Sequence, residues 1–256
     1  MNFSDQIREL ARYRDQPNVC PYVPSETAAW EYRIFESITP IAYGELLRRG
    51  WRRFGRALTR PSCPECNKCV AIRIKVSELK MSRSQERALA ANQKIHVEVH
   101  PPSFSQDALR LWNRYHQFME RERGWKPNPV SAEDYHRSFL EGKCLFARQF
   151  SYFDECRLVG VALADVVKGA LSNVYFFYDP DWRQRSPGVF SILTTARFAR
   201  AKGLHYQYLG SWIAECPSMS YKSNYNPHES LAFYPTDDEE PVWLPGGDCV
   251  DNLRQQ

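Results

Sequence analysis

Apolar and polar positions repeat with two periods along this chain, and the places where the period switches outline its elements. Residues 41–50 carry a helical repeat closed by Gly50, and residues 52–58 read as one extended segment. From 70 to 76 the period is two, which predicts a strand with Arg73 and Lys75 on its polar face. A charged helix is expected over 82–92, and Pro101-Pro102 predicts a boundary. Beyond it, Ala108, Leu111, Trp112, Tyr115, Phe118 and Met119 fall on one stripe of a helix over 107–123, ended by Gly124. Aromatic residues at this spacing are read as core.

The second half is more regular. Strands are expected over 144–150, 158–166 and 172–178, the first two joined by a polar turn at Asp154-Glu155. Arg185-Ser186-Pro187-Gly188 then opens a helix over 189–202 that stops at Gly203, and a fourth strand follows over 205–209. Three strands able to form a meander, a glycine loop opening a helix and one further strand match an N-acetyltransferase-like (GNAT-type) acyltransferase core. In such a core, backbone N–H groups at the helix N-terminus face phosphate oxygens. The expected fold is therefore α+β in three parts: a smaller Cys-containing basic α+β domain over 1–100, a GNAT-like domain over 101–235, and an acidic, flexible tail over 236–256.

Composition narrows the classes. The chain has 256 residues, 43% apolar and 14% aromatic, enough for a packed core. No segment approaches the ~20 apolar residues that span a bilayer, and residues 1–14 lack the apolar run of a signal peptide. A cytoplasmic protein without a membrane partner is expected. The net charge of +4 conceals an asymmetry. Between Glu45 and Arg87 stand twelve Lys/Arg against four Glu, so this segment carries +8 and the remainder −4. A concentrated basic surface suits a polyanion such as RNA, while an Arg-rich solvated helix face accounts for the same count.

Eight cysteines without an export signal argue against a disulfide framework. Cys63-Pro-Glu-Cys66-Asn-Lys-Cys69 is a tandem C-x₂-C-x₂-C, with Cys20 upstream as a candidate fourth thiolate. Soft thiolates at two-residue gaps suit an iron–sulfur cluster or zinc, and reduced structural cysteines in a tight turn are the alternative. Cys144, Cys156, Cys216 and Cys249 are isolated.

The motifs combine into a family resemblance. Cys20-Pro21-Tyr22, Arg60-Pro61-Ser62-Cys63 running on through Cys66 and Cys69 to Arg73, and Ser82-Arg83-Ser84-Gln85-x-Arg87 resemble the N-terminal half of arginyl-tRNA–protein transferases. Asp165, Tyr175-Phe176-Phe177-Tyr178-Asp179-Pro180, Ser186-Pro187-Gly188 and Tyr208-Leu209-Gly210-Ser211-Trp212-Ile213 resemble the C-terminal half. So do Cys216-Pro217-x-Met219-x-Tyr221-Lys222 and Asn226-Pro227. The short length and single Cys-Pro-Tyr are similar to the bacterial aspartate/glutamate leucyltransferases within that family.

The resemblance implies leucyl transfer from leucyl-tRNA to proteins beginning with Asp or Glu, marking them for N-end rule degradation, with no cofactor required. It implies Asp165 and Tyr208 as catalytic residues. Arg73, Lys75, Tyr175, Ser186, Gly188, Tyr221 and Lys222 are implied as substrate- and tRNA-binding residues. Of these, Arg73 is the first choice for an acidic side chain because a guanidinium grips a carboxylate bidentately. The chain departs from the family pattern at residues 120–126, at Pro187, at Ser211 and at Asn224, around the expected acceptor and tRNA-end pockets. Arginyl transfer or a diverged specificity, an acyl-CoA N-acyltransferase, and a non-enzymatic metal- and RNA-binding module are the competing expectations.

Overall fold

The computed structural model describes residues 6–142 and 144–246. From the N-terminus run β1 (Ile7–Arg14), β2 (Asn18–Val19), β3 (Thr27–Ala28), β4 (Trp30–Ile38), α1 (Pro40–Arg48), β5 (Arg52–Phe54), β6 (Ala57–Pro61), β7 (Val70–Lys75), α2 (Arg83–Ala91) and β8 (Ile95–His100). There follow α3 (Gln106–Arg123), α4 (Ala132–Phe139), β9 (Ala147–Asp154), β10 (Arg157–Val167), β11 (Ala170–Tyr178), α5 (Pro187–Ala201), β12 (Tyr206–Trp212), α6 (Pro217–Ser220), β13 (His228–Leu231) and β14 (Trp243–Pro245).

Eight strands form the main sheet in the order β14-β13-β7-β12-β11-β10-β9-β8, and β1-β4-β6-β5 form a smaller one. The meander β9-β10-β11 is antiparallel, and β11 pairs in parallel with β12 across α5. β7 and β8 lie within residues 1–100, yet both belong to the sheet built mainly from later residues. Alternate residues of β10 face opposite layers: Ala162 and Ala164 pack with α2 and α5, Val161 and Leu163 with α3 and α4. A third cluster joins α1 and the smaller sheet to the main one through Tyr43, Leu47, Trp51, Phe146 and Val167.

Local signals explain the elements. Ser82 and Gln85 close a capping box at α2, and the Gln85 amide also donates to the Asn224 carbonyl at 3.2 Å, so the Ser-Arg-Ser-Gln motif ties α2 to the 221–224 turn. Ser105 caps α3, which ends at Gly124 in the left-handed region. Four expectations are corrected. Residues 52–58 are the β5/β6 hairpin, turned at Gly55 with φ of +57°. β7 lies between β13 and β12, so Arg73 is buried, only 8% exposed. β9 begins three residues later than expected and continues to Asp154. Part of the acidic segment is packed: Asp237 accepts from Arg33 at 3.1 Å, Glu240 pairs with Arg48 at 3.3 Å, and β14 pairs with β13. Residues 247–256, with Cys249, lie outside the described residues.

Candidate active site

The parallel pairing of β11 with β12 is short. It covers Ala170, Leu171 and Ser172 against Tyr206, Gln207 and Tyr208, after which the two strands part. β11 bulges against β10 beyond Asn173, and β12 bulges against β7 before Gly210. A bulge re-aims backbone groups and bends its strand, so both strands turn carbonyls toward the gap.

Arg52 of β5 fills the mouth of this gap. Its Nη2 donates to the carbonyls of Asn173 and Val174, each at 3.3 Å. Gly210, at φ +80°, makes room: a Cβ there would stand 2.7 Å from Arg52 Nε. On the β12 side, buried Lys222 donates to the Ser211 carbonyl at 2.6 Å and to Met219 Sδ at 3.1 Å. The Met-x-Tyr-Lys motif thus wraps one ammonium around one strand carbonyl. Burial, then the Arg52 charge, pulls Lys222 down to about 7, against weaker opposing effects of Cys216 and Cys69. Tyr221 and Tyr22 present phenols within electrostatic reach of Arg52, and burial raises both.

Tyr175 lines the adjoining space. Its hydroxyl shares a 3.1 Å hydrogen bond with His116 Nε2, and burial pulls that imidazole down to about 4, which keeps it neutral at neutral pH. A pocket of ≈ 450 Å³ opens beside it, walled by Phe54, Trp112, Pro129, Val130 and Tyr175, with Asn128, Asp134 and Ser138 completing the lining.

Other candidates lie elsewhere. Asp165 is fully buried and grips Arg53 at 2.6 and 2.9 Å. Tyr208 accepts from Arg73 Nη1 at 3.0 Å. Arg73 also binds Glu229 at 2.6 Å and lies 3.8 and 4.1 Å over the rings of Tyr206 and Trp243. Lys75 pairs with the same Glu229 at 3.1 Å. The strand registers set Asp165, Ser172, Tyr208, Arg73 and Glu229 side by side across five strands. Within this polar row Arg73 engages Glu229 and Tyr208, while Asp165 is paired outside it with Arg53. Asp165 and Tyr208 are two strands apart and share no bond.

Ser186 stands exposed at the start of α5 with φ of +55°, without a side-chain cap, and a Cβ on Gly188 would meet open space. Cys20, Cys63, Cys69 and Cys216 share one cluster with Val23 and Ile213, close to Lys222. Burial, then the neighbouring Cys63, Cys20, Cys66 and Cys216, pushes the Cys69 thiol up to about 12. These thiols converge, but among the described residues no three His, Cys, Asp or Glu side chains are placed to hold a metal ion.

The +8 segment is mostly neutralised. Arg48, Arg49, Arg53, Arg60, Lys68, Arg73 and Lys75 each have an acidic partner. Arg83 and Arg87 are exposed on α2 without an ion pair to a described residue.

Comparison with known proteins assigns the chain. The family model described as Arginine-tRNA-protein transferase, N terminus, matches residues 18–87, and that for the C terminus matches residues 107–232. The chain belongs to the arginine-tRNA-protein transferase family. Relatives named aspartate/glutamate leucyltransferase include those of Campylobacter jejuni, 37% identical over 83% of this chain and 89% of theirs, and Helicobacter hepaticus, 35% over 91% and 97%. That of Alkalilimnicola ehrlichii is 37% identical over 90% and 95%. Among solved structures, FemX superposes with a TM-score of 0.43 at 8% identity, covering 80% of each chain. Like its relatives, this transferase is an enzyme of aminoacyl-tRNA-dependent chemistry. No helix among its described residues is long and apolar enough to cross a membrane.

In this transferase, sequence patterns missed Arg52, Arg53, His116 and Tyr22 as site or scaffold residues. The Arg52-Arg53 pair was legible only as charge, yet successive strand residues point to opposite sides: one reaches Asp165, the other the cleft. A Gly210→Ala substitution is expected to displace Arg52 and destabilise the fold by roughly 1–3 kcal/mol through the left-handed backbone and the clash. Thermal melting checks it, and an unchanged melting point would show that Arg52 yields freely.

Proposed function

We propose that this transferase moves leucine from leucyl-tRNA to the α-amine of proteins whose first residue is Asp or Glu, in the cytoplasm, marking them for degradation. What carries this reading is the 35–37% identity to relatives of that name over most of both chains. The neutral amine attacks the ester carbonyl; the amide C–N bond forms, the ester bond to the 3′-oxygen of the terminal adenosine breaks, and the proton the amine releases is passed on to that oxygen, which leaves as a hydroxyl. Because the ester is already activated, the enzyme's task is to position the two reactants and take up that proton. No cofactor is required for the step.

The gap between β11 and β12 supports a GNAT-type cleft as the place of reaction. Lys222, held low by burial and by Arg52, suits the proton acceptor. Tyr175 and Tyr221 line the approach, and the aromatic pocket beside Tyr175 suits an aliphatic side chain on the donor. The opening turn of α5, at Ser186 and Gly188, offers free N–H groups to the phosphate of the terminal adenosine. Exposed Arg83 and Arg87 of α2 suit the tRNA backbone beyond it.

The test is direct. Purified protein is incubated with radiolabelled leucyl-tRNA or arginyl-tRNA and peptides beginning Asp, Glu, Lys or Ala, with acetyl-CoA in a parallel arm. Label is expected on the Asp and Glu peptides, from leucyl-tRNA. Label from arginyl-tRNA alone would replace the donor, and acetyl transfer with label remaining on tRNA would overturn the reading.

A further inference from the structure

Arg52, at the mouth of the cleft, has no acidic partner among the described residues, a lack it shares with Arg56 of the hairpin turn. Arg49, Arg53, Arg60 and Arg73, all from the same segment, each hold a carboxylate within 3.2 Å. Arg52 spends one nitrogen on two backbone carbonyls at 3.3 Å, a long reach, and its Nε is buried without a hydrogen-bond partner. A guanidinium withdrawn from water without an anion is costly, and buried charges are ordinarily paired. The next charged group in the cleft is Lys222, also a base, and its depressed affinity for a proton registers the Arg52 charge. Tyr22 and Tyr221 add phenol donors and no negative charge. Gly210 leaves the guanidinium free of any side chain on the β12 side. A cation, a second basic group and two phenols around one opening describe a site for an anion.

We infer that Arg52 receives the side-chain carboxylate of the acceptor's first residue, and so sets the preference for Asp and Glu. The position assigned by pattern to this task, Arg73, is already saturated by Glu229 and Tyr208. The inference rests on the transfer reading above for its substrate and on the geometry of the β11/β12 gap for its residue. A carboxylate fits better than a tRNA phosphate here because the guanidinium lies between two strands at the gap, whereas the uncapped α5 N-terminus and the exposed arginines of α2 stand open to solvent. Its Nη1 is not held by β11 and offers its N–H donors to the carboxylate, while Nη2 stays with the β11 carbonyls.

The test measures binding and transfer separately in full-length protein. Calorimetry with peptides beginning Asp and Asn, otherwise identical, is run on wild type, Arg52→Met and Arg52→Lys. Wild type is expected to bind the Asp peptide at least ~30-fold more tightly than the Asn peptide. Arg52→Met reduces that ratio to near one, and Arg52→Lys leaves an intermediate ratio because a point charge replaces the fork. Leucyl-tRNA affinity, read by filter binding, stays within about threefold for both variants. A merely structural Arg52 would lower binding of the two peptides alike and leave their ratio intact, which overturns the inference. Loss of leucyl-tRNA affinity with an unchanged peptide ratio overturns it in favour of a phosphate. If the Asp preference in binding depends on Arg52 while no leucine is transferred, the inference stands and the transfer reading falls. Should Arg52→Met fold poorly, the ratio in Arg52→Lys decides: an undiminished preference there counts against the fork.

Discussion

Replacing Asp165 with Asn is expected to lower the melting temperature by roughly 6–20 °C while leaving the transfer rate per folded molecule within about threefold. Breaking one partner out of a buried ion pair costs ~3–5 kcal/mol, because the other charge is left uncompensated, and each kcal/mol shifts a chain of this size by about 2–4 °C. Here both partners are out of water, with side-chain exposures of 3% for Arg53 and 0% for Asp165. Burial alone lowers Arg53, and the charge and hydrogen bonds of Asp165 more than reverse it, so the guanidinium is held above its ordinary value. Arg53 also donates to the Gly55 carbonyl at 3.0 Å and fixes the β5/β6 hairpin. The pair therefore bolts the smaller sheet to β10. Arg53→Met alone should be as damaging as Asp165→Asn, while the double variant Asp165→Leu/Arg53→Met should recover most of the loss, since an apolar pair of similar volume is often neutral. Thermal melts with single-turnover transfer at 20 °C check both parts. A rate loss of ~100-fold at an unchanged melting point would return Asp165 to the chemistry.

That reassignment shows what the sequence made legible. The meander, the crossover through α5 and the helix over 107–123 were readable because period and punctuation agree there: Gly124 and Gly203 stop helices, and Asp154-Glu155 turns a hairpin. β1 and β4 escaped notice because charged residues crowd their exposed positions, as in Ile7-Arg-Glu-Leu-Ala-Arg-Tyr-Arg14, where only Ile7 is buried. β13 and β14 are too short to carry a pattern. β7 read as half-exposed because it contains Arg73 and Lys75. Alternation records that two charges share a face, but not that Glu229 waits on the neighbouring strand to cover them.

The site was legible in its parts rather than in its grouping. Lys222 comes from a motif that reaches the β12 side of the gap, and Tyr175 from one beside the adjoining pocket. Asp165, Tyr208 and Arg73 come from equally marked motifs and join a buried row instead. A carboxylate on an apolar strand satisfies a catalytic and a structural reading equally well until its partner is known, and that partner, Arg53, is 112 positions away in sequence. Arg52 shows the converse. It carries no motif of its own, and its significance lies in standing at the cleft without the carboxylate that Arg49, Arg53, Arg60 and Arg73 each hold, which only the fold discloses.

Lys222 gives the sharpest kinetic expectation. Its ordinary value of 10.5 falls to about 7, through burial first and the Arg52 charge second, with Cys216 and Cys69 pulling weakly the other way. A general base works deprotonated, so the single-turnover transfer rate should climb as pH rises from 6 to 8, with a midpoint near 7. The acceptor's α-amine titrates at ~8 in the same window, so the variant must separate the two contributions. Lys222→Met should cut the rate by ~10²–10⁴, the usual worth of a positioned base, and leave only the later slope of the amine. Lys222→Arg should not rescue it, since a guanidinium stays protonated. The stability of the variant should move opposite to its rate. A lysine whose folded value lies below its unfolded one binds fewer protons when folded between about pH 7 and 10.5, so stability rises with pH across that window. The penalty is complete below about pH 7 and fades toward 10.5. Lys222→Met removes a buried charge, so its melting point should exceed that of wild type at pH 6, with the advantage shrinking by pH 9. Were Lys222 only a strut for the Ser211 carbonyl, the variant would keep both rate and pH profile. A faster-melting, fully active Lys222→Met enzyme would therefore end its role as the base.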